Sequence, residues 1–412
     1  FVHSWQEIRH FMINMRIDIF YMKNYRFVAL ALLFILSCKD SFSQKKAEDV
    51  KQVKVYYEPG MYGGWPANNG IWIWGDEILV GFSKGVYKDL GAKHNIDREK
   101  QELHLLARSV DAGDTWTIED PGKTGGLAPH GYFMAKPRTD VPQQEVSQQN
   151  EPINFLHPDF ALTVRSNGDA GQSRYWYSYD KGHQWKGPFA LPNFGTAGTA
   201  ARTDYIISGK EECILFITSA KSDGKEGRVL CVKTMDGGKS WSFLSWIGEE
   251  PAGYAIMPAS VRLSDHEILV TVRQKEGNRS FIASWLSVDN GNSWTQLKNA
   301  ADDTGIGNPP AMLKMKDGRI CLIYGYRADP ESIRAKTKTS DIRARISSDN
   351  GKTWSKDYIL RNDGSGQDIG YPRVVQRPDG KIVAVYYFMD SKTGRERYIG
   401  ATIWTPPAGG KE

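Results

Sequence analysis

A six-bladed, all-β propeller is the fold this sequence predicts, and three observations predict it. One eight-residue phrase, Ser/Thr-x-Asp-x-Gly-x-x-Trp, occurs five times. Between its copies the chain breaks into short apolar or alternating runs flanked by Gly, Asp and Asn, with no sustained helical periodicity. The ends are complementary: an unpartnered strand precedes the first unit, and the last unit is one strand short.

The phrase occupies 109–116, 178–185, 234–241, 287–294 and 347–354, and its aspartates Asp111, Asp180, Asp236, Asp289 and Asp349 are 69, 56, 53 and 60 residues apart. Near-even recurrence at that period marks a radial or stacked array. Each copy reads as turn chemistry. The Asp carboxylate takes backbone amides two residues on, Gly supplies a positive φ, the Ser or Thr hydroxyl ties down the strand end, and Trp covers the hairpin. These aspartates are therefore read as structural.

The strands follow in order. Unit one has 70–74, 77–82 and 104–109; unit two has 160–165 and 174–178; unit three has 203–208, 213–218 and 229–234. Unit four has 259–263, 268–273 and 281–287; unit five has 311–315, 320–324 and 342–347; unit six has 373–377, 382–388 and 398–404. Unit six lacks the phrase and a fourth strand, which 53–58 is expected to supply, so that the N-terminal strand closes the ring. A seventh blade would need roughly fifty more residues. The stretch 119–152 has no clear strand, contains His130, and reads as a lid or binding loop.

With 412 residues, 40% of them hydrophobic, the chain can bury a large core. Residues 1–43 read as a leader and signal peptide, and 44–412 as a single propeller catalytic domain. Lys23 and Arg26 precede a ten-residue apolar run, 27–36, with Met22 as the expected true start. Two exits compete: a lipobox-like Ile35-Leu36-Ser37-Cys38, with Cys38 lipidated and anchored to a membrane, and a plain cleavage site after Ser43. Either implies an exported protein, periplasmic or an outer-membrane lipoprotein of a Gram-negative bacterium. Net charge is +5 for the whole chain, with no basic block, which argues against a nucleic-acid partner. Cys213, Cys231 and Cys321 show no metal-ligand spacing, and Cys213 and Cys231 are read as buried thiols rather than a disulfide. No cofactor or metal is expected, and the protein is expected to be a monomer.

In a propeller, ligands bind at one mouth of the central channel. The candidates are polar residues just before the inner strands and at the exits of the second strands. They are Trp65, Asn68, Asn69, His94, Asp97 and Arg98 around unit one; His157, Asp159, Arg202, Asp204 and Tyr205 around units two and three; and Tyr254, Arg273, Asn308, Arg327, Tyr371 and Arg373 around units four to six. His183 and His266 fall in turns, and His104 starts a strand, so these three are read as solvated or packed. His157, before Pro158, either serves the site or caps a strand end. Trp65 either stacks on a sugar ring or joins the core.

The five phrases resemble the Asp-boxes of the sialidase superfamily, and the six-unit grammar is similar to that family over nearly all of 44–412. The resemblance implies an arginine triad for a substrate carboxylate, a Tyr nucleophile assisted by Glu, and an Asp acid/base. It places the Tyr at Tyr371 and the second Arg at Arg273, with the third at Arg327 or Arg343. The first Arg falls on Asn68-Asn69-Gly70-Ile71 and the Glu on Ile256-Met257-Pro258, and neither residue type is present. The acid/base position offers His94 and Asp97. A tyrosine without its Glu is a poor nucleophile at neutral pH, so a divergent member that is not a sialidase is expected.

Arginine, histidine and tyrosine around one mouth suit β-elimination on a uronic-acid-bearing oligosaccharide. The carboxylate is held by Arg273 and Arg373, with Arg202 and Arg327 near; His94 or His157 is the base and Tyr371 the acid. Two alternatives stand beside it. One is an exo-acting, sialidase-like hydrolase using Asp97 with Asp159 or Asp204; the other is a glycan-binding propeller without catalysis.

Overall fold

The computed structural model describes residues 44–91, 93–129, 138–166, 168 and 171–409. The leader, Cys38 and His130 lie outside the described residues, so the expectations placed on them do too. The blades lie within Lys46–Glu412, which forms one compact unit.

Each repeated phrase builds the same knot of hydrogen bonds. In the first, Ser109 Oγ donates to Asp111 Oδ1 at 2.8 Å and accepts from the Gly113 amide at 2.7 Å. Asp111 also accepts from the Thr115 amide at 2.8 Å and the Thr115 hydroxyl at 2.6 Å. The carboxylate thus reaches the amide four residues on, rather than two as the Asx-turn reading expects. A left-handed residue pair, Ala112 and Gly113 at φ 58° and 95°, curls the turn back far enough to permit it. The other four copies repeat the Ser/Thr-to-Asp bond and the Asp bond to the amide four residues on.

This geometry has a consequence for stability against pH. Burial works to raise the Asp111 carboxyl, but bonds from Thr115 and Ser109 outweigh it and hold the group down at about 2. Asp180, Asp236, Asp289 and Asp349 are lowered through the same contacts. A depressed carboxyl stabilises the fold above its unfolded value of about 4 and loses that contribution as pH falls through the folded value. Thermal melting followed by circular dichroism is expected to hold near neutrality and drop steeply between about pH 4 and pH 2.

Six antiparallel sheets follow along the chain. Sheet one contains Met61–Gly64, Ile71–Trp74, Glu77–Val86, Leu103–Ser109 and Thr117–Glu119. Sheet four is the most regular: Tyr254–Arg262, Ile268–Glu276, Arg279–Ser287 and Thr295–Gln296. Sheet six takes Gly370–Gln376, Ile382–Phe388 and Tyr398–Trp404, and its outer strand is the N-terminal segment Lys51–Tyr56, paired with Tyr398–Trp404 from Lys51↔Ile403 onward. Alternating apolar residues on these strands put one hydrophobic cluster between each pair of neighbouring blades. Val55, Phe82 and Val385 belong to the cluster shared by blades six and one. The core is therefore six wedges around an axis rather than one central mass. The Asp-box glycines tighten the seams: a Cβ on Gly351 would stand 2.6 Å from Leu269 of the preceding blade.

Sheet two departs from the expected grammar. Among the described residues it has three strands, Ala161–Arg165, Arg174–Ser178 and Lys186–Ala190. Ala161–Arg165 pairs with the strand that enters the Asp-box, so it is a second strand and not the innermost one. The stretch read as a lid also differs. Its described part carries a short helix, Pro121–Thr124, and then lies along the outer strand of sheet two. There Ser147 bridges Phe189, and Gln144 bonds Gly126 and Trp176. Free backbone groups at that edge are what it satisfies. Cys213, Cys231 and Cys321 are free, buried thiols.

Candidate active site

Strand register assigns an end of the propeller to every residue. Ile268↔Ser287 and Ile320↔Ser347 mark the Asp-box end, and Glu276↔Arg279 and Tyr326↔Asp341 the opposite end. Arg273 lies toward that opposite end, and Arg327 directly follows Tyr326. Gly370↔Tyr387 puts Tyr371 there as well. His94 sits in the connection after Val86, beyond the Lys84↔Leu103 pair.

Tyr371 is held in an uncommon backbone state. Its φ is +49°, and the ladder to the neighbouring strand shifts between Gly370 and Arg373. Buried Asn308 imposes this: its Oδ1 accepts from the Tyr371 amide at 3.0 Å, and its Nδ2 donates to the Ile369 carbonyl at 2.8 Å. Gly370 allows the approach, since a Cβ there would fall 2.3 Å from Asn308. Backbone strain of this kind, locked by a buried side chain, concentrates at functional sites.

The Tyr371 hydroxyl accepts from Arg273 Nη1 at 3.1 Å. The Arg273 guanidinium lies 5.5 Å from the Tyr254 ring centroid, in a gap that Gly307 leaves open. Arg327 stands 5.1 Å from the Tyr371 ring centroid. The remaining wall is apolar. Met257, with φ +55°, packs with Ala67 and Ile256, and Tyr254 and Tyr371 pack against them. Where the sialidase resemblance expects Glu, the chain presents a methionine wall.

Beside Tyr371 lies a charge cluster built on Asp368, in the turn before the last inner strand. His94 Nδ1 is 2.8 Å from Asp368 Oδ1, Arg327 Nη2 is 3.4 Å from that oxygen, and Arg397 Nε is 3.2 Å from Oδ2. Tyr387 donates its hydroxyl to Asp368 and accepts from Arg327. Tyr387 also meets Tyr371 edge to face, centroids 5.8 Å apart, which joins the two groups. Burial works to raise the Asp368 carboxyl, but His94, Arg327 and Arg397 hold it far below the usual carboxylate range.

The sequence candidates therefore separate. Tyr371, Arg273, Arg327 and His94 come together. Asn69 and Trp65 are at the mouth but buried. Asn69 accepts from Thr163 and Thr203 through its carbonyl and from Arg165 through its side chain, and Trp65 packs on Tyr62 and His94. Both shape the site from beneath. Arg202 is buried in an ion pair with Glu226 and donates to Asn68 at 3.1 Å. Arg373, expected to hold a carboxylate, instead spends Nη2 on the carbonyls of Ala67 and Thr203. It lines an axial cavity of about 180 Å³ together with Asp204 and Ser260. Burial there moves Arg373 down to about 10 and Asp204 up to about 7.

Two further expectations need correction. His157 lies at the Asp-box end, one turn before the Ala161↔Ser178 pair. It stacks near Tyr179 at 4.7 Å, and its Nδ1 accepts from the Asp159 amide. Proline at 158 and the turn bond from His157 N to Asn154 O fix it there, so it caps a loop and is not part of the mouth. Asp97 likewise serves its own loop, accepting from the Glu99 amide at 3.0 Å and from Lys88 at 3.4 Å. Arg343, the other choice for the third arginine, is paired with Asp341 and Asp357.

Asp368, Tyr387 and Arg397 are mouth residues outside the candidate set for catalysis and binding. Asp368 was within reach: it precedes the inner strand carrying Tyr371 by the same rule that selected Tyr371. Tyr387 and Arg397 read as ordinary strand-end residues, and no local pattern marks them. Among the described residues no group of three or more His, Cys, Asp or Glu is placed to hold a metal ion.

A family described as BNR repeat-like domain matches residues 150–384. No curated protein matches the chain. Among solved structures, a protein of unknown function from Dyadobacter fermentans has a TM-score of 0.62 at 19% identity, covering 87% of this chain and 100% of that one. The NanB sialidase of Streptococcus pneumoniae scores 0.54 at 11% identity, covering 88% of this chain and 70% of its own. An α-L-arabinanase of Penicillium chrysogenum, complexed with arabinobiose, scores 0.52 at 14% identity, covering 86% and 97%. At these identities the likeness establishes the sialidase-like propeller fold.

Proposed function

The chain belongs to the BNR repeat-like domain family, and from that footing we propose that it is a glycan-acting enzyme whose mouth takes a carboxylate-bearing sugar and cleaves it by β-elimination. The observation that carries this reading is the Tyr371–Arg273 hydrogen bond at 3.1 Å beside the His94–Asp368 pair at 2.8 Å.

Each group has work suited to its surroundings. Arg273 has five N–H donors, one of them on Tyr371, and is the half-buried arginine of the group; it holds the uronate carboxylate. Neutralising that carboxylate acidifies the proton on the adjacent carbon. His94 takes this proton through its exposed ring edge. The electron pair left behind forms a carbon–carbon double bond, the bond from the next carbon to the glycosidic oxygen breaks, and the Tyr371 hydroxyl protonates the departing oxygen. Arg273 and Arg327 beside Tyr371 stabilise the charge left on its oxygen.

Hydrolysis is the second reading, favoured by the solved neighbours that are named as sialidase and arabinanase. It is weaker on local chemistry, because among the described residues Arg273 is the bonded partner of the Tyr371 hydroxyl and no carboxylate assists it. Incubation with a panel of uronate-containing oligosaccharides separates the two. Elimination yields a product with the ultraviolet absorbance of a double bond conjugated to a carboxylate, whereas hydrolysis releases sugar with no such absorbance. Sugar release without it would end the elimination reading.

A further inference from the structure

We propose that Asp368 is a positioning residue that keeps the His94 proton on Nδ1 and leaves the Nε2 lone pair as the base of the site. This rests on the acid–base reading above.

Asp368 is 4% exposed and faced by donors. Tyr387 donates its hydroxyl to Oδ1, Arg327 lies at 3.4 Å from that oxygen, and Arg397 lies at 3.2 Å from Oδ2. A carboxylate in this setting is ionised and can only accept. A ring nitrogen 2.8 Å from such an oxygen carries a proton rather than a bare lone pair, since two lone pairs at that distance repel. In a neutral imidazole the other nitrogen is then the acceptor. The side chain of His94 is 40% exposed while Nδ1 itself is buried, so the open edge is the one bearing Nε2. Trp65 meets the ring edge to face at 5.2 Å and limits its rotation. Asp368 reaches His94 from the turn before the strand that carries Tyr371. One carboxylate therefore ties the base to the same turn as the acid.

Asp368→Asn keeps the size of the side chain but offers an amide that can donate. Its N–H₂ turned to His94 favours a lone pair on Nδ1 and a proton on Nε2, which removes the base. The test is nitrogen NMR of the ring in full-length protein labelled at its eight histidines, with His94 assigned through His94→Gln. The expected result for the neutral ring is protonated Nδ1 and bare Nε2 in the wild type, exchanged in Asp368→Asn. The variant should also lose about 10²–10⁴-fold in kcat with KM little changed. A wild-type ring protonated on Nε2 would overturn the proposal without any need for the variant to fold. An unchanged tautomer in a folded Asp368→Asn protein would overturn it too. No substrate is present in the NMR experiment. A correct tautomer with no unsaturated product from any uronate therefore sinks the elimination reading and leaves the positioning role standing.

Discussion

Replacing Tyr371 with phenylalanine lowers kcat on the acidic substrate by about 10²–10⁴-fold, the range a positioned proton donor contributes, and leaves binding nearly unchanged. The substitution is clean for structural reasons. The hydroxyl has its hydrogen bond to Arg273, while the ring is held separately by Tyr387, Arg327 and the Met257 wall. Phenylalanine keeps those contacts, and the left-handed backbone at this residue is set by Asn308 acting on the main chain. Arg273 loses one acceptor and stays free to bind the carboxylate, so KM is expected to hold or fall. Steady-state kinetics with a thermal melt as control checks this. Activity within tenfold of wild type would remove Tyr371 from the chemistry, and a substantially raised KM would make it a binding residue instead.

Arg273→Ala is expected to cost about 10²–10³-fold in kcat/KM, as loss of a preorganised donor to developing charge does. Arg273→Lys is expected to recover only part of this. A lysine ammonium is a point charge and cannot bond Tyr371 and grip a carboxylate with the same planar fork. The space around the residue sharpens the comparison. Gly307 lets the guanidinium lie flat, since a Cβ there would stand 3.1 Å from Nη2 and 3.3 Å from Nε. Kinetics on a carboxylate substrate read out both variants, and full activity in Arg273→Ala would dismiss the arginine as the carboxylate anchor.

Much of the architecture is legible in the sequence because it is written locally and repeated. An Asp-box uses hydrogen bonds within eight residues, so Ser109, Asp111, Gly113 and Trp116 disclose it without tertiary information. The outer strand of blade six is legible by subtraction, and Lys51–Tyr56 pairs with Tyr398–Trp404 where the shortfall lies. Blade two misleads because the chain before Ala161 is rich in turn residues, so its second strand passes for the first. The site is only half legible. Tyr371 and Arg273 sit at fixed positions in the blade grammar, and geometry brings them together. His157 carries the same signal as His94, a histidine beside a strand, and only register separates the mouth from the Asp-box end. Arg373 faces inward as expected, but inward at that depth means the axial cavity, where buried carbonyls of Ala67 and Thr203 claim it. The role of Asp368 is invisible to pattern because its partners His94, Arg327 and Arg397 come from three different loops.

The central claim is that the mouth recognises a sugar through its carboxylate. The most direct measurement compares one uronate-containing oligosaccharide with its carboxyl-reduced counterpart, by calorimetric binding and by turnover. The account predicts binding and an unsaturated product for the acid and neither for the alcohol. Equal binding of the two forms would contradict it.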